Sequence, residues 1–143
     1  MARFRCNTKA VALFLASTLS ACATVIPHEP NVALSRGDAK AVLRQSFEEQ
    51  PANFRPVAIE IGDDAIRLGF SRIVDRGGAV TAIPARQTFY YSNLEEPQLI
   101  QTKGRYQIEL LNREHTVRRW VFFYSQDKAF AFLDAVHRMR RSE

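Results

Sequence analysis

The sequence predicts an α+β domain in which one helix precedes, and one helix follows, about seven mostly antiparallel strands. Apolar residues near position 40 recur at helical spacing, and residues 57–124 alternate apolar and polar side chains with a period of two. Helical spacing returns after Ser125. The links between successive strands are too short for crossover connections, so we expect these strands to pair antiparallel.

The first helix is predicted to begin after Ser35. Ser35 and Asp38 have approximately the spacing of a capping box, with Asp in place of the usual Glu. Its apolar face comprises Ala39, Val42, Leu43 and Phe47. Pro51 lacks a backbone N–H and clashes with the preceding turn, so the helix must end before it.

Extended segments follow, and turn residues separate most of them. We place the strands at residues 57–61, 66–70, 79–83, 87–91, 98–102, 106–110 and 116–124. Gly62-Asp63-Asp64, Gly77-Gly78 and Lys103-Gly104 supply turn chemistry. Pro84 is expected to interrupt the chain between the third and fourth strands.

A second helix is predicted to close the domain, with Ser125 as its N-cap and Asp127 near its positive end. One side of this helix carries Ala129, Phe130, Phe132, Leu133, Val136 and Met139. Such an apolar face has to cover a sheet.

This order of elements over residues 56–141 is similar to the pleckstrin-homology-like fold. The resemblance implies a bent sheet or small barrel closed by the C-terminal helix. The alternative is an open antiparallel sheet with both helices on one face. Asp63 and Asp64 occupy the first turn, where lipid-binding members place basic residues, so phosphoinositide recognition is disfavoured.

The N-terminus has the organisation of an export signal. Arg3, Arg5 and Lys9 precede the uncharged run 10–21. The run ends in Leu19-Ser20-Ala21-Cys22, which resembles the lipobox of bacterial lipoproteins. The resemblance implies lipidation of the Cys22 thiol and cleavage before it. Ala23, in a position where Asp favours the inner membrane, implies the periplasmic face of the outer membrane.

We therefore divide the chain into a signal peptide (1–21), a lipidated cysteine with its tether (22–34) and one α+β domain (35–143). Removing the signal leaves 17 basic and 15 acidic residues, a net charge of about +2. This modest charge and an envelope location argue against a nucleic-acid partner. His28 lies in the predicted tether and is expected to be solvated.

The sequence contains no pattern typical of a metal, cofactor or catalytic site. The three histidines are not arranged with cysteines or each other at metal-ligand spacing, so we expect no metal and no cofactor. The nearest acid–base pair is Asp134 with His137, three residues apart on the last helix. No serine has the context of a nucleophile, so an enzyme is not expected, and a small hydrolase using this pair is the alternative.

Aromatic residues are concentrated in the later strands. They are interpreted as core, or alternatively as the rim of a groove for a peptide, a glycan or another envelope protein. The candidate rim residues are Tyr90, Tyr91, Arg118 and Trp120, residue types that anchor interfaces. The sequence thus favours a lipid-anchored envelope protein with a non-catalytic binding or assembly-support domain. A carrier of apolar ligands within a bent sheet is a further alternative.

Overall fold

A computed structural model of the chain describes residues 23–31 and 33–141. The signal segment and Cys22 lie outside this range. The elements in chain order are β1 (Thr24–Ile26), α1 (Arg36–Glu48), β2 (Ala58–Ile61), β3 (Ala65–Arg76), β4 (Ala79–Tyr90), a 3₁₀ turn (Tyr91–Asn93), β5 (Leu99–Thr102), β6 (Arg105–Leu111), β7 (Arg118–Phe123) and α2 (Gln126–Arg140). All strand pairs are antiparallel, which confirms the predicted α+β class.

The described strands form two open sheets rather than a barrel. One sheet has the order β1-β5-β6-β7 and the other β2-β3-β4. Side chains connect β4 of one sheet to β7 of the other. The Gln87 amide donates to the Arg118 carbonyl at 3.5 Å, and Arg119 donates to the Gln87 side-chain oxygen at 3.3 Å. Because side chains rather than backbone ladders join these strands, the small barrel of the pleckstrin-homology-like layout is not formed.

Arg119 links the two sheets more extensively than its neighbours do. Its guanidinium lies 4.2 Å from the centre of the Phe70 ring on β3. It also donates to the carbonyl of Phe54, in the loop before β2. Burial lowers the pKa of Arg119 to about 10.

The core lies between the helices and the two sheets. Helix α1 packs against β2, α2 packs against β6 and β7, and the helices pack against each other. Phe132 of α2 meets Phe47 edge-on, with ring centres 5.8 Å apart, and lies 5.4 Å from the Phe123 ring. Fully buried residues include Leu43, Ile66, Leu68, Phe89, Ile108 and Val121. Phe89 and Phe123 are buried, as the core interpretation of the strand aromatics predicts, whereas Tyr90 and Tyr124 are exposed.

Ser35 and Ser125 occupy the N-caps of α1 and α2, as predicted, but only Ser35 caps through its side chain. The Asp38 N–H donates to the Ser35 hydroxyl at 3.1 Å, as a capping serine requires. Ser125 occupies the N-cap of α2, but its side chain makes no capping hydrogen bond. Its carbonyl accepts from the Ala129 N–H at 3.2 Å, and Asp127 lies in the first turn.

The expected interruption at Pro84 is wrong, because β4 runs unbroken through it. The Tyr91 N–H donates to the Asp64 carbonyl at 3.0 Å, so odd-numbered residues along β4 direct their backbone groups toward β3. Pro84, an even-numbered residue, faces the free edge, where a missing N–H breaks no ladder bond. The predicted hairpin turn is confirmed, since Gly77 and Gly78 have φ of 64° and 91°.

Part of the predicted tether is structured. Strand β1 pairs with β5 and extends that sheet, with Val25 opposite Ile100. The chain that follows β1 then contacts α2. The N-terminal segment is therefore joined to the domain at two places within residues 23–31.

Candidate functional site

A cavity of about 470 Å³ lies where α1 begins and where β4 and α2 end. Two of the residues predicted to bind a partner line it, together with residues of both helices. The lining comprises Arg36, Asp63, Asp64, Tyr90, Tyr91, Ser92, Met139, Arg140 and Arg141. We call this cavity the tyrosine pocket.

The two tyrosines contribute to the tyrosine pocket in different ways. Tyr90 is 51% exposed and presents an open aromatic surface. Tyr91 starts the 3₁₀ turn and is only 4% exposed. Among the described residues its hydroxyl has no hydrogen-bond partner. Burial raises the pKa of this phenol, so its hydroxyl stays neutral and is enclosed by the domain.

The two aspartates of the tyrosine pocket make their shortest ion pairs with cations outside its lining. Asp63 lies 2.7 Å from the Lys40 ammonium, and this hydrogen bond, more than any other contact, lowers the pKa of Asp63. Asp64 lies 2.8 Å from the guanidinium of Arg67 on β3. Both carboxylates at the wall of the cavity therefore form ion pairs within the domain.

Arginines supply the opposing charge. Arg36 donates to the carbonyls of Asp63 at 3.1 Å and Arg141 at 3.3 Å, which ties the start of α1 to the end of α2. Arg140 pairs with Glu96 and donates to the Leu94 carbonyl at 3.3 Å. Three guanidiniums against two carboxylates give the lining a net charge of one positive unit. Guanidinium and phenol donors together suit a polar ligand that carries a carboxylate or similar acceptor.

Arg118 and Trp120 lie elsewhere, on β7. The Arg118 guanidinium lies 2.6 Å from the carboxylate of Glu109, and this arginine side chain is 59% exposed. Trp120 is half-buried and stands opposite Glu109 in the β6–β7 ladder. Neither residue lines the tyrosine pocket. The structure thus brings Tyr90 and Tyr91 to one cavity and places Arg118 and Trp120 on a different strand.

Asp134 and His137, the pair of the hydrolase alternative, contact different partners. Asp134 lies 2.6 Å from the His28 ring nitrogen and accepts from the Asn31 N–H at 2.8 Å. His137 lies 2.7 Å from the carboxylate of Glu96. Burial lowers the pKa of His137 and outweighs the opposing effect of Glu96.

The prediction that His28 is solvated is wrong. Its ring stacks on Phe130 of α2 with centres 4.3 Å apart, and the side chain is 14% exposed. With the bonds to Asp134, this stacking fixes residues 28–31 against the last helix. Asp134 therefore serves to hold the N-terminal segment in the described structure.

The described ranges contain neither a metal-ligand cluster nor a helix suited to span a bilayer. No group of three or more His, Cys, Asp and Glu side chains in residues 23–31 and 33–141 could hold a metal ion. In the same part of the chain, no helix has the length and apolar character needed to cross a bilayer. No protein-family model, curated protein or solved structure matches the chain.

Proposed function

We propose that this chain is a lipid-anchored protein of the bacterial cell envelope whose domain binds a partner without catalysing a reaction. The anchor is proposed from Leu19-Ser20-Ala21-Cys22 at the end of an apolar run with a basic cap. A thiol is the group that this lipidation modifies. Two or more acyl chains, each contributing about 0.8 kcal/mol per buried methylene, hold a protein durably at a bilayer. The periplasmic face of the outer membrane is the proposed location.

We place partner binding at the tyrosine pocket, and the exposed Tyr90 ring among the arginines of the lining is the observation that carries this choice. Tyr90 is 51% exposed, and tyrosine and arginine are residue types that anchor interfaces. Arg141 offers a guanidinium, which can form a charge-assisted hydrogen bond with a carboxylate. These groups fit a segment of another envelope protein that inserts a carboxylate side chain or terminus.

A photocrosslinking amino acid at position 90, in cells that express the full chain, tests this assignment. Tyr124 is the matched control, because it is also an exposed tyrosine, 72% accessible, and lies outside the tyrosine pocket. We expect one protein adduct from position 90 that is absent from position 124. Identical adducts at both positions, or none at position 90, would contradict the assignment.

A further inference from the structure

The β3–β4 hairpin extends beyond the sheet that supports it. The pairing of β2 with β3 ends at Ala58 and Gly69, whereas β3 continues to Arg76. We call residues 70–85 the arm. Ile73 is 71% exposed and Val80 70% exposed, on the face turned away from the core. A two-stranded ribbon is marginally stable by itself in water, so the arm is a segment that gains from a further strand.

The two edges of the arm differ in their capacity to accept a strand. On β4, even-numbered residues direct their backbone groups to the free edge, and Pro84 is one of them. Proline has no N–H to offer and disrupts an added ladder at its centre. The β4 edge is therefore protected against pairing.

The β3 edge carries no such protection. The Gly62 N–H donates to the Ala65 carbonyl at 2.9 Å, so odd-numbered β3 residues point their backbone groups toward β2. Beyond Gly69 no strand of the described chain lies on that side. The N–H and C=O groups of Ser71, Ile73 and Asp75 are thus directed outward with no strand to meet them.

Symmetry restricts how two copies of this edge can pair. When a two-fold axis perpendicular to the sheet relates the two strands, the same face of each copy points to the same side. The axis then lies midway between the two copies of one residue, so each register is defined by the residue that stands opposite itself. Centring on Arg72 or Asp75 places that charge opposite itself, and centring on Val74 places Arg72 opposite Arg76. Like charges in directly opposed positions are destabilising.

Only the register centred on Ile73 pairs the whole free edge, residues 70–76, without a like-charge contact. It places Ile73 opposite Ile73 of the partner subunit and Ser71 opposite the partner's Asp75. It also places Phe70 opposite the partner's Arg76. All the outward backbone groups of Ser71, Ile73 and Asp75 then face outward groups of the second strand.

We propose that the occupant of the β3 edge is a second copy of this chain, paired antiparallel about Ile73. The charge pattern favours this self-complementary register, and the exposed Ile73 side chain becomes covered by its own counterpart. This proposal rests on the arm alone and is independent of the lipid anchor and of the tyrosine pocket.

Cysteine scanning of the purified full chain in detergent micelles, under mild oxidation, tests the register. Opposed residues in an antiparallel pair have Cα atoms about 5.5 Å apart, within the range of a disulfide. We expect Ile73→Cys to give a reducible dimer that the wild-type chain does not give. Ser71→Cys and Asp75→Cys should each remain monomeric alone and should form a dimer when mixed, because copies of one position are roughly 14 Å apart in this register.

Other outcomes contradict the proposal. A monomeric Ile73→Cys chain with native circular dichroism would show that the β3 edges do not meet. Crosslinking of Asp75→Cys alone would show chance collision or another register. In cells, capture of a different protein by Ile73→Cys in place of a second copy would show that the edge serves a different partner.

Discussion

Gln50 offers the sharpest test of how the helices are held to the sheets. The residue lies just beyond α1 and is 1% exposed. Its side-chain oxygen accepts from the Phe122 N–H at 2.9 Å, and its nitrogen donates to the Phe122 carbonyl at 3.0 Å. The same nitrogen donates to the Ser46 carbonyl at 2.8 Å. The Gln50 side-chain amide thus bonds to the N–H and C=O groups that an additional strand would pair with at the outer edge of β7.

Gln50→Leu removes these three bonds while it keeps a side chain of similar size. At about 1 kcal/mol for each bond, and with polar groups of Phe122 left without this partner, we expect a loss of about 3 kcal/mol in the free energy of unfolding. With a urea dependence of about 1.5 kcal/mol per M, this loss lowers the midpoint of unfolding by about 2 M.

Urea denaturation followed by circular dichroism measures the change. Gln45→Leu is the control, because the Gln45 amide also donates a hydrogen bond, to the Glu49 carboxylate at 2.8 Å, but on the exposed surface of α1. We expect the control to change the unfolding free energy by less than about 0.5 kcal/mol. Equal effects of the two substitutions would refute the role of Gln50 as a substitute strand.

Two predictions concern the tyrosine pocket and α2. Tyr91→Phe removes a buried hydroxyl that has no partner in the described structure, so we expect it to stabilise the domain by about 1 kcal/mol; a destabilised variant in urea denaturation would contradict this. Burial lowers the pKa of His137, so near pH 6 the unfolded chain binds more protons than the folded chain, and stability rises with pH. His137→Gln should therefore lose less stability than wild type between about pH 7 and 5, and an unchanged pH dependence in urea denaturation would refute this reasoning.

Local signals in the sequence were sufficient to predict much of the fold. Ser35 caps α1 through contacts within four residues, and Gly77-Gly78 fixes a hairpin through its own backbone angles. Such features depend on neighbours in the chain, so a sequence pattern reports them directly. Pro84 shows the limit of this reasoning. Whether a proline breaks a strand depends on which edge it faces, and only the strand order reveals that.

Long-range contacts account for what the sequence did not predict. His28 and Asp134 are 106 positions apart, and no spacing rule connects them. In the sequence, Gln50 is a polar residue before a proline, and nothing in that context predicts that it is buried against β7. Residue type alone indicates Tyr90 and Tyr91 as candidates. The arginines of the tyrosine pocket come from the start of α1 and the end of α2, and the sequence does not show that these two helix ends lie side by side.

The proposed anchoring is tested most directly by the intact mass and terminal fragments of the mature protein from its native envelope. We expect a chain that begins at Cys22 and carries a diacylglyceryl group on sulfur, with a further acyl group on the terminal amine. A Cys22→Ser chain should be neither cleaved at this position nor lipid-labelled. Mature protein that starts at Met1, or at an unmodified Cys22, would contradict the account.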